Sequence, residues 1–281
     1  MKTRSLIWKI LPVAGILFLD MATGFCKKEE KPVEKPRAVM VSSAKGTVQI
    51  ESGGTNRKGR VGDILYTGDT IITLADSTVD IQLEKGVVIH IAPSSKLLID
   101  RLLYQKDNNS IHDVLKLQGG SAYSRVERMP GGSSFDITTP TAIASVRGTE
   151  FRVNITPNGT SSVSVSQGSV NVKAGEKEKP VGVNERADVD TSGGVNSAPL
   201  SDAEKKNLEE ISKSVVEFSD EEWEKYRDHL RDEDVLNEKP ANIDFIIPRA
   251  TPSPAREPTA SPAPQPEAPK KQGLGCGQEM T

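Results

Sequence analysis

The chain has 281 residues, of which 35% are hydrophobic and 4% aromatic, and it carries a formal net charge of −3. Basic residues are neither clustered nor interleaved with aromatic residues, and this composition excludes a nucleic-acid-binding face. The hydrophobic share is below that of typical globular chains. The shortfall lies after the first apolar stretch and in the C-terminal tail, so the middle of the chain can still bury a core.

The N-terminus has the pattern of a secretory signal peptide. Positive charges at Lys2, Arg4 and Lys9 precede an almost wholly apolar stretch, residues 10–19. This stretch is shorter than the roughly 20 apolar residues that a membrane-spanning helix needs. We therefore predict a signal peptide over residues 1–25.

The next feature is Cys26, and the sequence Thr23-Gly24-Phe25-Cys26 resembles a bacterial lipoprotein cleavage site, where the cysteine becomes lipidated. The resemblance implies an exported protein that is anchored in the bacterial cell envelope, at the outer membrane, through a lipid on Cys26. An uncleaved signal anchor and cleavage without lipid are the alternatives. Residues 26–37 are charged and contain prolines, so they predict a flexible, lipid-anchored tether.

From residue 38 to residue 190 the sequence has a pattern that is typical of β-structure. Short runs alternate apolar and polar residues, as at Val79, Ile81 and Leu83, and Gly, Asp and Ser mark the turns between them. The pattern predicts a mainly β domain over residues 38–190, for which a sandwich, a barrel and a solenoid all remain open. Short strands above glycine turns fit the tight corners of a solenoid.

At Ser201 the apolar period becomes helical. Capping boxes at 201–204 and 219–222 each predict the start of a helix, and residues 200–248 are assigned to a helical pair followed by a short apolar strip. We expect the pair to dock on the β-domain, with a partner-binding arm as the alternative. Residues 249–281 are proline-rich and predict a disordered tail.

The sequence offers no constellation for catalysis or metal binding. His90, His112 and His229 do not lie at metal-ligand spacing, and the common catalytic motifs do not occur. The Gly-Asp pairs at 62–63 and 68–69 supply too few closely spaced carboxylates for a calcium loop and predict turns instead. We therefore predict no enzyme, no catalytic residue, no cofactor and no metal.

Two charges stand out in the stretch of residues 135–153. Arg147 and Glu150 lie there among small and apolar residues, and a charge that is buried in such surroundings needs a partner. We predict an ion pair between Arg147 and Glu150 that pins the turn at Gly148. The alternative is that Arg147 contacts an anionic ligand or a peptide.

The segment TPTAIASVRGTEFRV within this stretch resembles the signature of the FecR domain. Further motifs match that family in the same order, so the resemblance covers about residues 38 to 175. It implies a predominantly β extracytoplasmic domain with a solenoid-like build, which raises the solenoid above the sandwich. We expect the signature residues to have a structural role, and a role in contacting a ligand or partner stays open. They are Thr139, Pro140, Arg147, Gly148, Thr149, Glu150 and Phe151.

FecR-type regulators relay the state of an outer-membrane iron-siderophore receptor to a sigma factor through a cytoplasmic N-terminal segment. Only a short segment precedes the apolar stretch here, so we expect no cytoplasmic anti-sigma segment. We predict a non-enzymatic envelope lipoprotein whose FecR-like domain binds an unknown envelope protein or polymer. The alternative is a component of an iron-responsive cell-surface signalling cascade that acts through another chain.

Overall fold

The computed structural model describes residues 34–227. They form eighteen strands and two helices, so the prediction of a mainly β domain is confirmed. The strands are β1 Glu34–Pro36, β2 Ala38–Lys45, β3 Val48–Ser52, β4 Thr55–Lys58, β5 Ile64–Tyr66, β6 Thr70–Thr73, β7 Thr78–Glu84, β8 Val87–Ile91, β9 Lys96–Gln105, β10 Ser110–Val126, β11 Ser134–Thr138, β12 Ile143–Val146, β13 Thr149–Ile155, β14 Ser161–Gln167, β15 Val170–Ala174, β16 Lys177–Val181, β17 Glu185–Val189 and β18 Val195–Pro199. The helices are α1 Asp202–Ser214 and α2 Asp220–Arg227.

The strands form one large mixed sheet that folds into two layers, which are joined by the long strand β10. Layer A has the order β4-β3-β6-β9-β10-β11-β12-β15-β16, with β1 beside the end of β9. Layer B has the order β5-β2-β7-β8-β10-β13-β14-β17-β18. β10 belongs to layer A up to Gly119 and to layer B from Gly120 onward.

The change of layer within β10 depends on a glycine. Gly120 has a φ of +78°, which is left-handed backbone, and a Cβ there would lie 2.6 Å from the Cα of Ser95. The Ser95 hydroxyl accepts a hydrogen bond from the N–H of Ser121 at 2.9 Å. The close approach of these two segments therefore requires the absence of a side chain at residue 120.

The inward faces of both layers share one apolar core, because alternate residues of a strand point to the same side of the sheet. In β15, Val170, Val172 and Ala174 are buried while the residues between them are exposed. Phe135 of layer A and Phe151 of layer B are both fully buried in this core. Each such side chain contributes about 1.5–3 kcal/mol through burial.

A solenoid is not identified among residues 34–227. Coils of a parallel β-helix stack strand upon strand in the same direction. In the part of the chain that the structure describes, β10 and β11 pair in parallel and the other strand pairs are antiparallel. The structure therefore shows one large mixed sheet in place of the predicted solenoid.

The fold begins earlier than the sequence predicts. β1 pairs with β9, and Arg37 is only 3% exposed. The Nη1 of Arg37 donates to both carboxylate oxygens of Asp113, at 2.7 and 2.8 Å, and its Nη2 donates to the carbonyl of Leu83 at 2.5 Å. The prediction of a tether over residues 26–37 is therefore wrong for residues 34–37.

Several predicted segments lie outside the described residues. They are the signal peptide with Cys26, the tether up to residue 33, the apolar strip near residue 245 and the proline-rich tail. Among residues 34–227 no helix is long and apolar enough to span a membrane.

Both helices begin at the predicted capping boxes. The Ser201 hydroxyl accepts from the N–H of Glu204 at 3.3 Å, and the Glu204 carboxylate accepts from the N–H of Ser201 at 2.8 Å. Ser219 and Glu222 form the same reciprocal pair at the start of α2. The helix positions are thus set by local sequence.

The helices dock on the outer face of layer B, as predicted. We call residues 200–226 the arm. Leu208 of α1 is buried against Tyr123, and Trp223 of α2 is buried against Ala38 and Met40. The arm therefore covers the part of the outer face of layer B around Met40 and Tyr123.

Candidate functional site

The FecR-like signature, residues 135–153, crosses from layer A to layer B and contains two turns. Strands β11 and β12 form a hairpin in layer A, and β13 continues the chain in layer B. The first turn lies between β11 and β12, and the second lies between β12 and β13 at Gly148. The signature positions thus serve two distinct corners of the fold.

Thr139 holds the first turn through its backbone and side chain. Its N–H donates to the carbonyl of Ala142 at 2.8 Å, and its Oγ1 accepts from the N–H of Ala142 at 2.9 Å. The hydroxyl of Ser161 in β14 donates to the same Oγ1 at 2.8 Å, which fastens the turn to layer B. Pro140 is exposed at the tip. Thr139 and Pro140 therefore shape this turn, and the polar groups of Thr139 are used in hydrogen bonds within the domain.

The second turn packs against another glycine turn. Gly148 has a φ of +127°, and a Cβ on Gly168 would lie 2.6 Å from the carbonyl oxygen of Gly148. The hydroxyl of Thr149 donates to the carbonyl of Ser169 at 2.9 Å, and Phe151 enters the core. Gly148, Thr149 and Phe151 thus fix the crossing between the layers, next to the turn at Gly168.

Glu150 does not pair with Arg147, so that prediction is wrong. The carboxylate of Glu150 accepts from the Tyr123 hydroxyl at 2.6 Å and lies 3.5 Å from the Nε of Arg125. Strand pairing explains the difference, because Glu150 and Arg125 are directly opposite each other in β13 and β10. Burial, together with the hydrogen bond to Glu150, raises the pKa of Tyr123 to about 12.

An open depression of ≈ 470 Å³ lies at the Gly148 turn, and we call it the arginine depression. Arg125, Arg128 and Arg147 line it, together with the acidic side chains of Glu127 and Glu150. Arg128 and Arg147 are exposed. Neither of them has an ion pair within residues 34–227, whereas Arg125 pairs with Glu150.

This arrangement suits the recognition of anions. A guanidinium group is always charged and offers a planar set of donors that matches a carboxylate or a phosphate in two parallel hydrogen bonds. Two such groups, Arg128 and Arg147, line one depression and form no ion pair within residues 34–227. Among the signature residues, Arg147 is therefore the exposed charged side chain that has no hydrogen bond or ion pair within residues 34–227.

The histidines take part in internal hydrogen bonds. His90 bonds the carboxylate of Asp80 at 2.6 Å, and His112 bonds the hydroxyl of Ser134 at 3.1 Å. His229 lies outside the described residues. Over residues 34–227, no three His, Cys, Asp or Glu side chains are grouped so that they could hold a metal ion.

Sequence reasoning missed Arg125, Arg128 and Ser212 as members of this region. The Nη2 of Arg125 donates to the carbonyl of Ser212, at the C-terminal end of α1, at 2.6 Å. Arg125 lies near the end of β10 and Arg128 follows the strand by two residues, so the pairing of β10 with β13 brings both to the Gly148 turn. The only sequence signal was a pair of arginines where an alternating strand ends.

Residues 69–171 match the family model described as FecR protein. The resemblance to the FecR domain is therefore confirmed for this part of the β-domain, which includes all seven signature positions. No curated protein matches the chain.

Two crystal structures of a putative anti-sigma factor from Parabacteroides distasonis are similar to part of the chain. Their sequence identities are 23% and 22%, and their TM-scores are 0.39 and 0.40. Each match covers 47% of this chain and 59% of the other chain. The match thus spans less than two thirds of those proteins.

Proposed function

We propose that this chain is a non-enzymatic lipoprotein of the bacterial cell envelope whose FecR-like domain binds an acidic partner through the arginine depression. The lipid on Cys26 anchors it at the outer membrane, and the partner is an envelope protein or an anionic envelope polymer. The family match over residues 69–171 supports the domain type. The lipoprotein-like sequence at Cys26 supports the anchor.

The observation that carries the binding role is the pair of exposed guanidinium groups of Arg128 and Arg147. Other arginines of the β-domain form ion pairs, as Arg57 does with Asp63 and Arg186 does with Glu204 of α1. Arg128 and Arg147 lie at one depression without such a partner in the described residues. An external carboxylate there gains charge-assisted hydrogen bonds without breaking an internal ion pair.

The binding role is tested with the double variant Arg128→Glu/Arg147→Glu. Poly-L-glutamate serves as the carboxylate probe, and pull-down from envelope extract followed by mass spectrometry searches for the natural partner. We expect the variant to lose both the probe and the partners that the wild type retains. Arg101→Glu is the matched control, because Arg101 is exposed on β9 and has no ion pair among residues 34–227. Equal retention by the double variant and the wild type would overturn the proposed site.

The anchor is tested by metabolic labelling with palmitate. We expect label on the wild type and on Cys276→Ala, and none on Cys26→Ala, since the chain has two cysteines. Absence of label from the wild type would overturn the lipid anchor and leave the binding role to be judged by its own experiment.

A second candidate is a component of an iron-responsive cell-surface signalling cascade that acts through another chain. The match to the FecR family model favours it. Deletion of the gene should then change the expression of an iron-responsive reporter between high and low iron. An identical reporter response in the deleted and parental strains would exclude this role.

A further inference from the structure

The arm contacts layer B through a short extended segment as well as through its helices. We call residues 215–218, between α1 and α2, the strap. The N–H of Val216 donates to Asp80 Oδ2 at 3.3 Å, and the N–H of Phe218 donates to Gln82 Oε1 at 2.9 Å. The hydroxyl of Ser42 donates to the carbonyl of Val216 at 2.6 Å. Layer B therefore holds the backbone of the strap through polar side chains.

The strap is also held by its own acidic side chain. Glu217 Oε1 accepts from the N–H of Gly86 at 2.8 Å and from Nε2 of Gln82 at 3.3 Å. Val216, between these contacts, is 40% exposed. The strap is thus fastened by hydrogen bonds along its backbone and at Glu217, and by the half-buried side chains of Val215 and Phe218 at its two ends.

These polar contacts lower the free-energy cost of releasing the arm, because solvent can replace them. A polar group that stays buried without a hydrogen-bond partner is costly. Release of the arm avoids this cost, because Asp80 and Gln82 then become exposed and form hydrogen bonds with water. The apolar contacts that would also be lost are confined to two small clusters around Leu208 and Trp223. Elements with few buried apolar contacts are the ones that open locally while the rest of a domain stays folded.

The end of α1 also contacts the arginine depression directly. The Nη2 of Arg125 donates to the carbonyl of Ser212 at 2.6 Å and to its hydroxyl at 3.2 Å, and that hydroxyl donates to Glu150 at 3.3 Å. A cation at the C-terminal end of a helix satisfies its free carbonyl groups. Arg125 and Glu150 therefore belong both to the depression and to the seat of the arm.

A second depression, of ≈ 260 Å³, lies beside α1 and shares Glu150 with the arginine depression. Leu208, Glu209 and Ser212 of α1 line it. The helix therefore limits the space next to the depression, and it supplies both an acidic side chain and the negative end of its dipole there.

We propose that the arm is an autoinhibitory latch on the arginine depression. In the docked state, Ser212 engages Arg125 and α1 closes one side of the site. When the arm is released, Arg125 loses its helix partner and the outer face of layer B next to the depression opens. An acidic partner that engages Arg125 competes with Ser212, so partner binding and arm docking oppose each other. This inference rests on the proposed function, because it regulates the same site.

The test measures the affinity of the full chain for poly-L-glutamate. It compares the wild type, in which the arm is docked, with a variant in which docking of the arm is weakened. Leu208→Ala/Trp223→Ala truncates the buried apolar side chain of each helix of the arm. The control is Lys206→Ala/Glu221→Ala, because both side chains are exposed on the same helices. Limited proteolysis reports release of the arm, and circular dichroism with thermal unfolding reports that the β-domain remains folded. We expect about tenfold tighter binding by the released variant, which is within the usual range of coupling between two sites.

The reverse measurement uses the wild type alone and does not depend on the variant's folding. Linkage requires that bound poly-L-glutamate loosen the arm if the arm weakens binding. Hydrogen exchange at the amides of α1 and α2 should therefore become faster when poly-L-glutamate is added, and neutral poly-L-glutamine should have no effect.

The outcomes separate the latch from the proposed function. Equal affinity of the released variant and the wild type, with binding still lost in Arg128→Glu/Arg147→Glu, would overturn the latch and keep the proposed function. Slower exchange or unchanged exchange in the arm upon binding would also overturn the latch. No binding by any form would overturn the proposed function, and the latch with it.

Discussion

The two layers of the sheet differ in what covers their outer faces. In layer A, β15 alternates buried and exposed residues, as expected for a sheet with one face in solvent. In layer B, every residue of β7 from Val79 to Leu83 is buried, including Asp80 and Gln82. The core covers one face of β7, and the strap of the arm covers the other. An outward-facing substitution is therefore a surface change in β15 and an interior change in β7.

The largest effect is expected where the two layers are tied together. Asp113 lies in the layer A part of β10, and its partner Arg37 also bonds Leu83 of layer B. Burial raises the pKa of Asp113, against the opposing effect of Arg37. Removing one member of a buried pair leaves the other charge uncompensated, so Asp113→Ala should lower the free energy of unfolding by about 3–5 kcal/mol. Urea denaturation measures this loss.

Two further variants control this prediction. Asp107→Ala, at an exposed position, should change stability by less than about 0.5 kcal/mol. Arg37→Met/Asp113→Leu replaces the whole pair by apolar residues and should recover much of the loss. If Asp113→Ala unfolds at the same urea concentration as Asp107→Ala, the pair does not tie the layers together.

The next effect compares the outer faces of the layers directly. Met40 faces outward from layer B and is 1% exposed under the arm, whereas Ile143 faces outward from layer A and is 37% exposed. Met40→Ala should cost about 2–4 kcal/mol through lost burial and a cavity. Ile143→Ala should cost less than about 1 kcal/mol. Similar losses in the two variants, measured by thermal unfolding, would contradict the difference between the faces.

A smaller effect is expected at the turns that carry the chain between the layers. Gly168 has a φ of +82°, and a Cβ there would approach the carbonyl oxygen of Gly148 to 2.6 Å. Gly168→Ala should therefore cost about 2–3 kcal/mol. Gly175→Ala is the control, because Gly175 has a φ of +59° and open space around it, so only the backbone cost of about 1 kcal/mol applies. Equal melting temperatures of the two variants would mean that the packed turns are not constrained.

The smallest effect concerns the arm and pH. The hydrogen bonds from Ser201, with a further contribution from Arg186, lower the pKa of Glu204 from 4.5 to about 2. A lowered pKa means that this stabilisation is complete above pH 4.5 and is lost as the pH falls towards 2. Amide exchange in α1 should therefore become faster over this range. Glu204→Gln should remove this residue's part of the pH dependence, while Glu210→Gln, at an exposed position of α1, should keep it.

The sequence predicts most of the local structure of this domain. Alternation at Val79, Ile81 and Leu83 identifies a strand, and the serine and glutamate of each capping box identify where a helix starts. These signals act over a few residues, so a single sequence contains them in full. The FecR-like signature was recognised for the same reason, since its residues are contiguous.

The sequence does not predict how distant strands pair, and the errors follow from that. The direction of pairing separates a solenoid from the observed layers, and it depends on contacts between residues far apart in the chain. The predicted partner of Glu150 was its near neighbour Arg147, but the register of β10 and β13 places Arg125 opposite it. The burial of Arg37 likewise depends on Asp113, 76 residues away.

The position of β1 in the sequence sets how far the domain can stand from a membrane. Glu34, where β1 begins, follows Cys26 by eight residues, since 34 − 26 = 8. A chain of that length reaches no more than about 30 Å even when fully extended. With a lipid on Cys26, the β-domain would therefore stay within about this distance of the membrane surface. Partners held in the same membrane would then meet the β-domain at a high effective concentration. Even a partner with weak affinity would therefore occupy the arginine depression.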